Sequence, residues 1–403
     1  MISVQEVDKI IAAALLPLRS EKVPLHAAPG RVLQQQVLAD RDFPPFNRVM
    51  MDGIAIRFAD WQAGTRSFWV AGLCAAGAPQ GRLPDEAGSC LEVMTGAVLP
   101  AGADTVVKYE YVTLVDGNAV IEQDHLIKEG QHIHRQGQDR TEGTVLLQPG
   151  RLIGPAEIAV LATVGLTRVE VAARPAIAVI ATGDELVDID QLPQPHQIRK
   201  SNLYALQTAL EERAFISDTY HIVDDKAGLT SQLTDILNRY EVVILSGGVS
   251  KGKLDFVPQV VSDLGVEKAF HFVAQRPGKP FWFGRYKKGV VFALPGNPVS
   301  SFVGLYRYVL PFLYRSTGVE PQPVQAVLAA DFTFKPDLTY FLQVRLHFDD
   351  SGRLLATPVP GQGSGDLANL LDADAFLELP RGRDLFRQGE VFPCLPYRSW
   401  SVK

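Results

Sequence analysis

The residues best suited to chemistry lie between Glu241 and Pro298. Ser246-Gly247-Gly248-Val249-Ser250-Lys251-Gly252-Lys253-Leu254-Asp255 follows the apolar, β-branched run Val242-Val243-Ile244-Leu245. Three glycines and two serines let a backbone turn closely around a ligand and offer it bare amides. Asp255 stands where it can cap a helix, with Pro258 in the first turn and Val257, Val260, Val261 and Leu264 on one face. Several N–H groups and a helix dipole then converge on one spot, which attracts anions. A carboxylate beside an anion site points to a metal ion or a proton acceptor. The pattern recurs. Arg276-Pro277-Gly278-Lys279-Pro280 is a stiff turn with two cations, and Pro295-Gly296-Asn297-Pro298 follows the buried run Val290 to Leu294.

Further acids sit at similar places. Thr182-Gly183-Asp184-Glu185-Leu186 follows the run from Ala176 to Ala181, and Asp224-Asp225 ends a predicted strand from Phe215 to Val223. Met51-Asp52-Gly53 and Gly137-Gln138-Asp139 read locally as a turn and a solvated loop. His132-Ile133-His134 places two imidazoles on one strand face without a third ligand, so a structural role outweighs a metal site. Ser246 and Ser250 have no histidine partner in the pattern, which excludes a serine hydrolase.

The elements that position these groups follow from periodicity. Continuous apolar runs ending in Gly/Pro turns, alternating with predicted helices over Ser201 to Arg213 and Lys226 to Asn238, give a doubly wound parallel α/β sheet. Its ligands bind at strand ends. Ser3-Val4-Gln5-Glu6 is a capping box, and Val4, Val7, Ile10, Ile11, Ala14 and Leu15 form the stripe of the helix it opens. Pro155 opens another helix, with Ala156, Ala159, Val160 and Thr163 predicted inside. Between these helices, short apolar runs and many Gly and Pro residues predict an inserted small β domain. The runs at Ala326 to Phe334, Tyr340 to Phe348, Leu354 to Pro358 and Ala375 to Leu379 predict a second one. The expected division is an elongated helical N-terminal module over 1–40 and 140–172, the inserted β domain over 41–139, the α/β domain over 173–318 and a C-terminal β domain over 319–403.

Composition bounds the class. The chain has 403 residues, 46% of them hydrophobic and 21% charged, as in an ordinary globular protein. A net charge of -6 argues against general nucleic-acid binding. Cys74, Cys90 and Cys394 are too scattered for a disulfide framework, and no apolar run is long enough for a membrane span; a cytoplasmic protein is expected.

Ser-Gly-Gly-Val-Ser-x-Gly-x-x-Asp from Ser246, Arg-Pro-Gly-Lys-Pro from Arg276 and Leu-Pro-Gly-Asn-Pro-Val-Ser from Leu294, in this order, resemble the molybdopterin molybdenumtransferase family (MoeA and the gephyrin E domain). Met94-Thr95-Gly96-Ala97-Val98-Leu99-Pro100 and Gln362-Gly363-Ser364-Gly365 carry the resemblance to both ends of the chain. It implies insertion of molybdenum from molybdate into adenylylated molybdopterin with release of AMP, assisted by magnesium (Mg2+). It implies a MogA/MoaB-like α/β domain and a homodimer with shared sites, in which Asp52 and Thr95 of one protomer meet Glu185 and Asp255 of its partner. By the same resemblance Asp52, Asp139, Glu185, Asp224 and Asp255 are catalytic, and Glu185, Asp224 and Asp255 hold the metal. Thr95, Gly183, Ser201, Asn202, Ser246, Gly247, Gly248, Ser250, Arg276, Gly278, Lys279, Pro295, Gly296, Asn297 and Ser300 bind substrate. A non-catalytic scaffold and a nucleotide pyrophosphatase with a related α/β domain are the other readings. Departures from the family pattern share one sign: Asn47 replaces an acid, Arg48 an Asn, Lys200 an Asp, Lys251 an apolar residue and Lys253 a Glu. They predict a crevice made more positive by fixed cations.

Overall fold

The computed structural model describes residues 1–223, 226–249 and 256–398. They fall into two compact units: 1–23, 28–34 and 170–398 in one, and 24–27 and 35–169 in the other.

The larger unit holds a six-stranded sheet in the order Ser217–Ile222, Ile177–Thr182, Val242–Ser246, Gly289–Leu294, Pro280–Tyr286, Glu267–Phe272. The first four strands are parallel, in a register that sets Ala181 opposite Ser246 and Ser246 opposite Leu294. Their Gly-rich exits therefore lie side by side. The fifth strand, Pro280–Tyr286, is antiparallel to both its neighbours, so the sheet is mixed and not wholly parallel as the sequence predicts. Tyr286 pairs with Gly289 across the turn Lys287-Lys288, and so short a connection joins only antiparallel neighbours.

Alternation along the strands feeds two cores. Ile177, Val179 and Ala181 pack with Leu203, Leu206 and Leu210 of the helix Ser201–Glu211 and with Val4, Val7 and Ile11 of the helix Val4–Ala12. Ala178 and Ile180 face Leu229, Leu233 and Ile236 of the helix Lys226–Arg239 and Val257, Val260 and Val261 of the helix Val257–Asp263. Burying each such Leu, Ile or Val contributes about 1.5–3 kcal/mol over leaving it in water. The predicted Ser3–Glu6 capping box is present.

A second sheet of this unit runs Gln275–Arg276, Thr339–Phe348, Leu354–Pro358, Val324–Leu328, Val391–Pro396, Ala375–Leu379. Thr339–Phe348 also pairs with Ala375–Leu379, which closes five of the strands into a ring. Gln275 and Arg276 pair with Thr339 and Tyr340, so the two-cation turn is fastened to this ring.

The smaller unit is built on a six-stranded sheet in the order Thr105–Lys108, Gly53–Ile56, Ser89–Val93, Ser67–Cys74, Asn118–Ile121, Val112–Val115. Its helix Pro155–Thr163 buries Glu157 and Leu161, while the predicted inner residues Ala156, Ala159 and Thr163 are exposed. The cause is polar: the Glu157 carboxylate accepts from Arg151 Nε at 2.8 Å and from the Gly154 N–H at 2.9 Å, and so turns inward paired. No helix among the described residues is long and apolar enough to cross a membrane.

Candidate active site

A cavity of about 1000 Å³ opens where the parallel strands end. Thr182, Glu185, Ser201, Asn202, Ser246, Gly247, Gly248, Pro295, Gly296 and Asn297 line it. Asn202, in the first turn of its helix, donates its amide to Ser246 Oγ at 3.1 Å and to the Gly296 carbonyl at 2.7 Å. One side chain thus ties a helix start to two strand exits. The Gly247 N–H donates to the Leu294 carbonyl at 3.1 Å. Gly247 (φ +109°) and Gly248 (φ +65°) form the floor, where a Cβ would fall 2.6 Å from the Thr182 carbonyl oxygen and 2.8 Å from Val257 Cγ2 respectively. Only glycine fits this turn.

Thr182 is 3% exposed, and its hydroxyl has no hydrogen-bond partner among the described residues. A buried hydroxyl left unpaired costs about 1–3 kcal/mol. Glu185 lies against Gly183, close enough that a Cβ there would fall 2.5 Å from Glu185 Oε2. Gly183 is itself fixed by its carbonyl, 3.1 Å from His221 Nε2.

A second cavity of about 550 Å³ shares Pro280, Pro295 and Asn297 with the first. Arg276, Gly278, Lys279 and Ser300 line it on one side, and Tyr340, Gln343 and 361–364 on the other. Gln275, 1% exposed, donates its amide to the Pro277 and Gly278 carbonyls at 3.2 Å each and accepts from the Tyr308 hydroxyl, which holds the two-cation turn in shape. Ser364 closes the rim: its hydroxyl accepts from Asn297 Nδ2 at 2.8 Å and its carbonyl from the Val299 N–H at 3.1 Å. The glycine-rich stretch around Ser364, assigned in sequence only to the last domain, thus belongs to the site. The two cations Arg276 and Lys279 make this cavity fit an oxyanion.

The smaller unit carries Asp52, Thr95 and Asp139. Asp52 Oδ1 accepts from the Thr95 N–H at 2.6 Å and from the Thr95 hydroxyl at 2.7 Å. Those bonds, the N–H first, hold the Asp52 carboxyl below the usual carboxylate range, so it is ionised at neutral pH. Val49 accepts from the Gly96 N–H at 2.9 Å and donates to Ala97, which fastens the Thr95 loop to the strand leading into Asp52. Asp139 Oδ1 lies 2.9 Å from His134 Nε2.

Asp224, Ser250, Asp255, Lys251 and Lys253 lie outside the described residues. Among the described residues no group of three His, Cys, Asp or Glu side chains is gathered for a metal. The expectation of free cations is corrected at two positions. Lys200 is no free cation: it is 7% exposed and ion-paired to Asp188, because a buried ammonium requires a partner. Arg48 is likewise engaged, with NH2 3.0 Å from His134 Nδ1.

Comparison with known proteins extends this picture. Residues 2–165 match the model of the MoeA N-terminal region (domain I and II), 178–315 that of a probable molybdopterin binding domain and 325–397 that of the MoeA C-terminal region (domain IV). A molybdopterin molybdenumtransferase of Synechocystis sp. is 42% identical over 99% of this chain and 100% of its own. The chain belongs to the molybdopterin molybdenumtransferase family. The Bacillus subtilis member is 32% identical over 95% of this chain and 93% of its own. A solved structure of the molybdopterin biosynthesis MoeA protein from Pyrococcus horikoshii has a TM-score of 0.82 at 29% identity, covering 99% of this chain and 100% of that one.

Proposed function

We propose that this chain is a molybdopterin molybdenumtransferase that inserts molybdenum from molybdate into adenylylated molybdopterin and releases AMP, in molybdenum cofactor biosynthesis. The observation that carries the reading is the pair of adjoining cavities. The larger is floored by glycine backbone and bordered by the N-terminus of the helix Ser201–Glu211, which suits a nucleotide-bearing pterin. The smaller presents Arg276, Lys279 and Ser300, which suits a tetrahedral oxyanion beside it. Asn297 borders both and is where the two substrates would meet.

Glu185, Asp224 and Asp255 are the residues that would hold Mg2+, and three carboxylates are the hard oxygen donors that ion takes. Bound there, it would neutralise phosphate oxygens as the anhydride breaks. The match of residues 178–315 to a molybdopterin binding domain supports a MogA/MoaB-like character for the α/β part. The four-part division into 1–40 with 140–172, 41–139, 173–318 and 319–403, a cytoplasmic location and a homodimer with shared sites complete the proposal, on the family resemblance. Incubation with adenylylated molybdopterin and molybdate tests it. AMP release with molybdenum retained on the pterin is the expected result. AMP release without molybdenum uptake would select the pyrophosphatase, and neither would select the scaffold.

A further inference from the structure

The strand Arg48–Val49 pairs antiparallel with Ile133–His134, setting Arg48 opposite His134. His134 Nδ1 lies 3.0 Å from Arg48 NH2, and His134 Nε2 lies 2.9 Å from Asp139 Oδ1. A guanidinium has donors only, so Nδ1 must be the unprotonated acceptor. The ring proton then sits on Nε2 and is donated to the Asp139 carboxylate. We propose that His134 is a positioning residue for Asp139, with Arg48 selecting the tautomer that donates. This rests on the reading of Asp139 as a site carboxylate.

The surroundings show what His134 adds. The backbone of the Asp139 loop is already registered: the Asp139 N–H donates to Phe43 at 2.9 Å, the Gly137 N–H to Pro44 at 3.0 Å and the Gln136 N–H to Asn47 Oδ1 at 2.9 Å. The carboxylate itself is not gripped by that register. The Asp139 side chain is 56% exposed, while that of His134 is 18% exposed, so the more enclosed ring supplies the more exposed acid with a fixed partner. Asn47 and Arg48, two of the departures noted in the sequence, are both spent on this loop. Asn47 holds its backbone, and Arg48 holds the ring that holds its acid. The Asn47 amide and the Arg48 cation therefore serve geometry and not general attraction of anions.

A carboxylate misplaced by about 1 Å costs on the order of 100-fold in rate, which sets the size of the effect. The test compares AMP release by His134→Phe, His134→Gln, Asp139→Asn and the double variant His134→Phe/Asp139→Asn, with kcat and KM measured separately. Phe keeps the ring and loses both nitrogens. Gln supplies one donor for Asp139 and one acceptor for Arg48. Expected are a kcat about 10–100-fold lower with little change in KM for His134→Phe, recovery to within a few-fold for His134→Gln, and a double variant no slower than Asp139→Asn alone. If Asp139→Asn turns over normally, the reading of Asp139 fails. If Asp139→Asn is slow while His134→Phe is normal, or if Gln does not rescue, or if the two losses multiply, the positioning proposal is overturned and Asp139 stands. Should His134→Phe not fold, Arg48→Met replaces it: its kcat falls if Arg48 sets the ring, and an unchanged kcat overturns the proposal.

Discussion

Replacing Gly247 by Ala isolates how tightly the strand exits are packed. The new Cβ would lie 2.6 Å from the Thr182 carbonyl oxygen and 2.9 Å from Thr182 Oγ1, at φ +109°. The carbonyl belongs to a strand paired on both sides and does not yield cheaply. Gly265 is the control: it follows the helix Val257–Asp263 at φ +86° with nothing within 4 Å of a Cβ. Left-handed backbone alone costs Ala about 1–2 kcal/mol. Crowding adds about 1–3 kcal/mol, for about 2–5 kcal/mol in all at Gly247. At about 2–4 °C per kcal/mol, a midpoint of about 3.5 kcal/mol lowers Tm by about 7–14 °C, against about 3–6 °C for Gly265→Ala. Calorimetry of both variants reads the difference directly. AMP release should also fall at least about tenfold for Gly247→Ala, because the amide floor shifts, and stay near normal for Gly265→Ala. A Gly247→Ala protein that melts with the control and turns over normally would refute the close packing.

Four other variants test three separate sites. Asp188→Asn should destabilise by about 2 kcal/mol by leaving buried Lys200 unpaired, whereas Lys200→Met should be nearly neutral, since Asp188 is half exposed; thermal melts distinguish them. Arg307 is gripped by Asp8 at 2.7 and 2.8 Å and by Glu378 at 2.7 Å, so Arg307→Ala should cost about 3–5 kcal/mol, read by urea unfolding. Burial, then Lys108, lowers the His132 pKa below its ordinary 6.5, so its contribution to stability is full above pH 6.5 and is lost as pH falls through the lower folded value. His132→Asn, which tolerates the positive φ of 57°, should flatten the Tm decline below pH 6.5; an unchanged decline would assign it elsewhere.

Strand exits announce themselves in the sequence because two rules coincide there. A run such as Val242–Leu245 buried on both faces shows no alternation, and the glycines after it mark a turn that side chains would block. The cavity residues from Thr182 to Asn297 follow from that coincidence. What periodicity does not carry is pairing between polar groups. The face of the helix Pro155–Thr163 turns toward Glu157 because Arg151 and Gly154 satisfy it, and an apolar count places the wrong residues inside. The antiparallel strand Pro280–Tyr286 escapes the α/β pattern for a similar reason. The parallel rule reads crossovers through helices, and this strand returns through two lysines.

The basic departures extend the point from fold to site. Read by sign alone, Arg48 and Lys200 add positive charge to a crevice. In the structure each meets a specific partner: Lys200 is paired with Asp188, and Arg48 donates to a neutral imidazole. An exposed cation attracts anions over about a Debye length, whereas one already paired acts only through what it holds. Lys200 holds Asp188 of the segment between the strands Leu186–Val187 and Ile198–Arg199, which lies along the first cavity. Arg48 holds His134 and, through it, Asp139. Arg276 and Lys279, which line the second cavity and have no carboxylate partner among the described residues, are left as the cations able to meet an incoming oxyanion. Molybdate affinity should therefore fall when Lys279 becomes Gln and stay nearly constant when Arg48 becomes Met. Equilibrium binding at two salt concentrations decides it: a salt-dependent loss at Arg48 equal to that at Lys279 would restore the reading by sign.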